Sequence, residues 1–326
     1  MNLKHYAVLI CFILITGCAN IGASGIPATD AAAQVQAQPA GESQAQAAEP
    51  ITISDMTGRT VSLSEPATRI IALTAADCEI LYAIGAGDML IGRGEYCDYP
   101  PEVLNITAVQ SGNETNMEQI IALKPQVLLM ATMDQSQEQI DALERAGILT
   151  VVSDAHDIEG VYTAISMIGS LMGKEDKAAE LIGKMKSDFQ ALSTNADSNK
   201  GKTVYFEVSP LEFGLWTAGA GTFMNEVAEM MGLTNCFADV SGWGEISEEQ
   251  VLARNPDYIV TVGMYFGEGL QPDEEIMARN GWENIKAVKN KAVLNLSNNE
   301  LSRPSYRLAE GANLLNEFIM KTGNSE

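Results

Sequence analysis

Two stretches decide the fold of this 326-residue chain: NMEQIIALKPQVLL at Asn116–Leu129 and SEEQVLARNPDYIV at Ser247–Val260. Aligned at Glu118 and Glu249, they share Glu-Gln, an Ala three positions after the Gln, a Pro three positions after that, and an apolar run. Asn116 and Ser247 each stand three before a Gln (Gln119, Gln250), which is the spacing of a capping box at a helix start. Pro125 and Pro256 end the helix about two turns later, and Val127–Met130 and Tyr258–Val262 then read as buried parallel strands. The chain therefore holds two related halves. Each displays a carboxylate on the first turn of its helix.

The rest of the chain fits that unit on both sides. Arg69–Leu73 is a strand, Asp77–Ile84 a helix, Leu90–Gly92 a strand, Ser136–Ala146 an amphipathic helix and Leu149–Val152 a strand. The second half gives a strand at Thr203–Val208, helices at Thr222–Met231 and Asp273–Asn280, a strand at Ala292–Leu296, and a last helix from Pro304, suited to a first turn, to Lys321. Alternating strands and helices build an α/β fold, an open parallel sheet with helices on both faces. The expected layout is an N-terminal lobe over residues 51–175, a linking segment over 176–195 and a C-terminal lobe over 196–326. The linker is a helix, Asp176–Ser193, of about 27 Å at 1.5 Å per residue.

The N-terminus follows an export pattern. Lys4 and His5 precede an apolar run, Tyr6–Ile15, about half the ~20 residues needed to cross a bilayer. Leu14-Ile15-Thr16-Gly17-Cys18 resembles the lipobox of bacterial lipoproteins, so residues 1–17 read as a signal peptide and Cys18 as the lipidated first residue of the mature chain. Residues 18–50 are Ala, Gln, Gly, Ser and Pro with few large apolar side chains, the composition of a disordered tether. The formal charge of −23 argues against nucleic acid or an anionic membrane face as partner. Of five cysteines, Cys78, Cys97 and Cys236 belong to the folded body; a Cys78–Cys97 bridge is one possibility, and spacing alone does not show the Cα separation.

Five pieces together carry a family resemblance: EYCDYPPEV (Glu95–Val103), NMEQIIALKPQVLL, LWTAGAGTFMNEVAEMMG (Leu215–Gly232), GWGEISEEQVLARNPDYIV (Gly242–Val260) and LSRPSYRLAEG (Leu301–Gly311). The combination resembles the substrate-binding proteins of ABC importers for iron complexes and cobalamin, the cobalamin binders most of all. That resemblance implies the class III periplasmic-binding-protein fold, two αβ lobes with central parallel sheets joined by one long helix. It further implies that Glu118 and Glu249 engage arginines on the importer's two membrane subunits, and that the protein acts as a monomer on the outer face of the cell membrane.

In open αβ sheets the ligand lies beyond the carboxyl ends of the strands. The loops there hold Tyr96, Tyr99, Met133, Trp216, Trp243, Tyr265, Phe266, Arg303 and Tyr306. An aromatic cleft with few charges suits a large flat ligand with apolar and polar edges, a corrin or a metal chelate. The candidate ligand residues are Tyr96, Trp216, Trp243, Arg303 and Tyr306. Cobalamin is the favoured ligand. The stretch Thr107–Asn116 lacks a second cleft Trp, however, so a ferric siderophore or haem stays open, with Arg93, Arg303 and Arg307 to meet an anionic one. A sensory or adhesive module on the same fold is the alternative from another class. The mature chain has one His, His156, too few for a directly bound metal ion, and no nucleophile, zinc or phosphate-loop motif supports an enzyme. No resident cofactor is expected.

Overall fold

The structure, a computed structural model, describes residues 49–112, 115–132, 136–263, 269–296 and 299–323. The signal peptide, Cys18, nearly all of the tether, and Met133, Tyr265 and Phe266 lie outside the described residues.

The N-terminal lobe opens with an antiparallel hairpin, β1 (Ile51–Ser54) and β2 (Thr60–Leu63). Its sheet has the order β5-β4-β3-β6-β7, built from β3 (Ile70–Ala72), β4 (Leu90–Gly94), β5 (Ala108–Val109), β6 (Val127–Met130) and β7 (Leu149–Val152). Every pairing in it is parallel. Helices α1 (Ala75–Ala83), α2 (Met117–Leu123), α3 (Gln137–Arg145) and α4 (Ile158–Leu171) follow β3, β5, β6 and β7 in turn. Both faces of this sheet are covered. Ile70, Ala72, Val127, Leu129 and Val151 turn to one apolar cluster, while Ile71, Leu128, Met130 and Val152 turn to the other. That is why these strands read as unbroken apolar runs.

Helix α5 (Glu175–Leu192) takes the place expected for the long linker, one residue earlier at each end. It packs on α4 behind it and on α6 (Phe223–Met230) and α10 (Leu308–Gly323) ahead. Its Ala178, Met185, Phe189 and Leu192 are buried in the first cluster, which runs without a break from Ile165 and Ile168 of α4 to Val227 of α6 and Leu315 of α10. The two lobes therefore share one core through the linker.

The C-terminal lobe contains β8 (Thr203–Glu207), β9 (Leu215–Ala218), β10 (Thr234–Asn235), β11 (Trp243–Ile246), β12 (Tyr258–Thr261) and β13 (Val293–Asn295), with α7 (Glu248–Arg254), α8 (Pro272–Ala278) and α9 (Lys286–Lys289) among its helices. The order is β11-β9-β8-β12-β13, and β10 pairs with the start of β8. This sheet departs from the expected all-parallel one. β8, β10, β12 and β13 run parallel, but β9 lies antiparallel to both β8 and β11. The ribbon is held at Gly219, where a side chain would collide with the Val240 carbonyl; the Gly219 amide donates to Gly242 at 2.7 Å.

The repeat is visible in three dimensions. Asn116 accepts from the Gln119 amide at the start of α2, and Ser247 does so from Gln250 at the start of α7. Only the second copy closes a full capping box, because the Gln119 side chain instead donates to the Ala108 carbonyl at 2.8 Å. Both helices end on a left-handed residue before the proline, Lys124 (φ 52°) and Asn255 (φ 47°). The last helix begins at Leu308 rather than Pro304. Residues 303–307 are irregular because they are held by the other lobe.

Candidate functional site: the seam between the lobes

Three parallel strands of the N-terminal lobe deliver their ends to one edge. After β3 comes Thr74, which caps α1 and brings Asp77 in; after β4 comes the loop Glu95–Pro100; after β7 come Ser153, Asp154 and Ala155. Gly94 permits this arrangement, since a Cβ there would strike the Leu73 carbonyl at the end of β3. Opposite lie Ser302–Tyr306 of the C-terminal lobe. A recess of about 250 Å³ is bounded by Thr74, Asp77, Ser153 and Asp154 on one side and by Ser302 and Arg303 on the other.

The seam is clasped by a buried cluster. Glu79 of α1, fully buried, accepts from Arg303 Nη1 (3.1 Å), Arg307 Nη1 (3.4 Å) and the Ser305 hydroxyl. Arg303 also donates to Asp98 at 2.6 Å and to the Tyr96 carbonyl at 3.3 Å. Arg307 reaches Glu300 at 3.5 Å and Glu310 at 3.4 Å, and its guanidinium lies 3.9 Å from the centre of the Tyr99 ring. Burial pushes the Glu79 carboxyl above its ordinary range, against the pull of Ser305 and the arginines. At the other side of the seam the Phe223 amide donates to the His156 carbonyl at 3.0 Å, and Glu226 accepts from the Ile158 amide at 2.8 Å.

Asp77 is another buried carboxyl at the seam. Thr74 donates to it at 2.6 Å and Ser153 donates as well, but burial outweighs both and lifts it to about 7.

The predicted ligand residues divide into two groups. Tyr96 and Trp216 present aromatic surface to solvent, 75% and 39% exposed. Trp243 is half-buried, its ring 5.4 Å from that of Phe223 and edge-on to it, next to the His156 contact. Trp216 and Trp243 sit on the same face of the β9–β11 ribbon, since Trp243 pairs with Ala218, two residues from Trp216. Arg303 and Tyr306 belong to the clasp: the Tyr306 hydroxyl hydrogen-bonds that of Tyr99, and burial raises it above the tyrosine range. The third tryptophan, Trp282, is fully buried and donates to Glu248 at 2.9 Å. Sequence reading missed Glu79, although a glutamate set within the apolar run CEILYA was its signal.

Glu118 and Glu249 are both exposed on their first turns. Each has an exposed apolar side chain three residues on, Ile121 and Leu252. Among the described residues no group of three or more His, Cys, Asp or Glu is placed to hold a metal ion, and no helix is long and apolar enough to cross a membrane.

The family model described as periplasmic binding protein matches residues 70–300, most of both lobes and the N-terminal side of the seam. This chain is a periplasmic binding protein. It is 32% identical over 324 residues to an uncharacterized ABC transporter substrate-binding lipoprotein, YvrC, of Bacillus subtilis, covering 96% of this chain and 95% of that one. It is 30% identical over 253 residues to the vitamin B12-binding protein of Salmonella paratyphi A, covering 76% and 89%. Among solved structures, a possible iron-binding periplasmic solute-binding protein from Staphylococcus epidermidis matches with a TM-score of 0.64 at 30% identity, over 78% of this chain and 99% of that one. As a periplasmic binding protein the chain has the two-lobed class III fold, and the seam occupies the place where an open αβ sheet receives a ligand.

Proposed function

We propose that this protein captures a corrinoid in the cleft between its lobes and delivers it to the two membrane subunits of an ABC importer, held to the outer face of the membrane by lipid on Cys18. The observation that carries the ligand class is the pairing of exposed aromatic surface with engaged charge. Tyr96 and Trp216 offer stacking area, while Arg303 and Arg307 are ion-paired to Glu79, Asp98, Glu300 and Glu310, and Arg93 donates to the carbonyls of Gly94 and Glu95. Arg303 and Arg307 are ion-paired and Arg93 is buried, so a carboxylate-rich haem or siderophore meets no exposed, unpaired guanidinium among these three. The recess of about 250 Å³ is smaller than the roughly 300–1,000 Å³ of a pocket that encloses a whole ligand. A flat ring therefore lies across the aromatic rim and sends one polar edge group into the recess. The vitamin B12-binding relative supports the same choice.

Delivery follows from Glu118 and Glu249. Two equivalent exposed carboxylates on equivalent helices suit two equivalent subunits, and rim charges of this kind steer association and fix register. Titrating the protein with cyanocobalamin, haem and a ferric hydroxamate, following tryptophan fluorescence, tests the ligand class. Saturable quenching by cyanocobalamin is expected, weakened by roughly 1–3 kcal/mol in Tyr96→Ala and in Trp216→Ala. Tight binding of haem or the hydroxamate alone refutes the corrinoid assignment.

A further inference from the structure

Two buried thiols in the N-terminal lobe take no part in the seam. Cys78 lies on α1 and Cys97 in the loop after β4, and both are buried and unpaired. They are neighbours in space. Their sulfurs approach adjacent carbonyls of one strand end, Cys78 to Ala72 at 3.7 Å and Cys97 to Leu73 at 3.9 Å. The third thiol of the body, Cys236, sits in the other lobe beside Arg254.

The loop that carries Cys97 is the one that carries Tyr96 and Asp98. Tyr96 is the most exposed aromatic of the rim, and Asp98 and the Tyr96 carbonyl both hold Arg303. Whatever fixes Cys97 fixes this loop. The neighbouring Cys97 thiol, then burial, push the Cys78 thiol well above the ordinary range, and burial of both sulfurs keeps exchange from solution slow in the folded protein. The pair reacts while the chain is folding, before the lobe closes over it.

We propose that Cys78 and Cys97 are a redox pair that closes to an intramolecular disulfide and so ties the ligand-facing Tyr96 loop to α1. The oxidant is a disulfide, small-molecule or protein-borne. One cysteine thiolate attacks a sulfur of the oxidant R–S–S–R, forming a mixed disulfide and releasing one thiolate R–S⁻. The second cysteine thiolate attacks the mixed disulfide at the protein sulfur and releases the other R–S⁻. The two cysteine protons end on the two released thiols, the protein loses two electrons, and the oxidant gains them.

The test needs neither ligand nor importer, so its failure is separate from failure of the proposed transport role. The reduced, unfolded full-length chain is refolded by dilution into a mixture of reduced and oxidised glutathione, quenched with acid, alkylated and digested with trypsin. Cleavage after Arg93 separates the two cysteines. The expected product is a linked pair joining residues 70–93 to the peptide that begins at Gly94, lighter than the sum of its reduced halves by about 2 Da, with Cys236 alkylated. Alkylation or glutathionylation of both Cys78 and Cys97, or linkage of either to another cysteine, overturns the proposal. In the melting curve, the oxidised wild-type protein unfolds at a higher temperature than the reduced one, and a Cys78→Ala, Cys97→Ala variant shows no such difference. An equal shift in the variant contradicts the assignment.

Discussion

Replacing Glu79 with alanine removes the anion at the centre of the clasp between the lobes. Glu79 is fully buried and its two oxygens take Arg303, Arg307 and Ser305. Burial already sets the carboxyl above its ordinary range, so the cluster is not a net source of stability in itself; what matters is the arginines left behind when the anion goes. Breaking a buried pair by removing one partner costs roughly 3–5 kcal/mol. Here Arg303 keeps Asp98 and Arg307 keeps Glu300 and Glu310, so the lower end applies, about 3 kcal/mol. For a body of this size that lowers the melting midpoint by roughly 5 °C. Urea unfolding of Glu79→Ala and wild type at pH 7 measures it directly. A loss below about 1 kcal/mol with an unchanged denaturant slope refutes the clasp, since it means the arginines are as well satisfied without Glu79 as with it.

Asp77 gives a pH prediction. Its folded value is raised, from 3.8 to about 7, so the folded state binds the proton more tightly and the contribution is fully present below pH 3.8 and lost as pH rises through about 7. Relative to Asp77→Asn, wild type should lose about 4 kcal/mol across that window at about 1.4 kcal/mol per pH unit, and parallel stability curves for the two proteins refute it. For docking, Glu118→Ala with Glu249→Ala should leave cobalamin affinity unchanged and abolish importer-dependent uptake; full uptake by the double variant reduces both residues to helix-start carboxylates. Glu248 offers little compensation, because its carboxylate is already bonded to the Trp282 indole. Finally, the shared core and the clasp predict limited closure, so small-angle scattering should show nearly the same radius of gyration with and without ligand, and a large decrease on binding excludes a rigid linker.

Much of the fold is legible in the sequence because its elements are set by local chemistry. The strand at Leu149–Val152 and the helices around Ser136–Ala146 and Asp176–Ser193 rest on apolar period and caps, and the structure returns them with shifts of at most a residue at each end. The β9–β11 ribbon was not legible. Its strands are four residues each, their pairing is long-range, and the signals in WTAGAG are glycines that permit close approach without naming the partner. The seam failed for the same reason at greater distance. Arg303 reads as a free cleft cation and Pro304 as a helix start until Glu79, 224 residues away in the chain, is seen to hold this segment. Loop position was readable for Tyr96, which is exposed in the loop after β4, but Trp216 and Trp243, read as loop residues, lie on β9 and β11 because the ribbon's pairing is long-range.

The distribution of symmetry in the molecule argues for the division of labour proposed above. The repeat is kept where it faces outward: Glu118 and Glu249, Ile121 and Leu252, Lys124 and Asn255 in the left-handed conformation before a proline. It is abandoned at the seam, where the N-terminal lobe supplies the carboxyls Asp77, Glu79 and Asp98 and the C-terminal lobe supplies the arginines and the β9–β11 ribbon with its two tryptophans. A repeat without function on its outer face has no reason to keep one exposed carboxylate and one exposed apolar side chain in register on both helices, since each such pair adds only about 0.3–1 kcal/mol through the helix dipole and exposes apolar surface besides. A symmetric outer face fits a partner with two equivalent subunits, and an asymmetric seam fits a ligand with unlike edges. Substituting one outer position tests the first half of that statement and substituting one rim aromatic tests the second, each without disturbing the other.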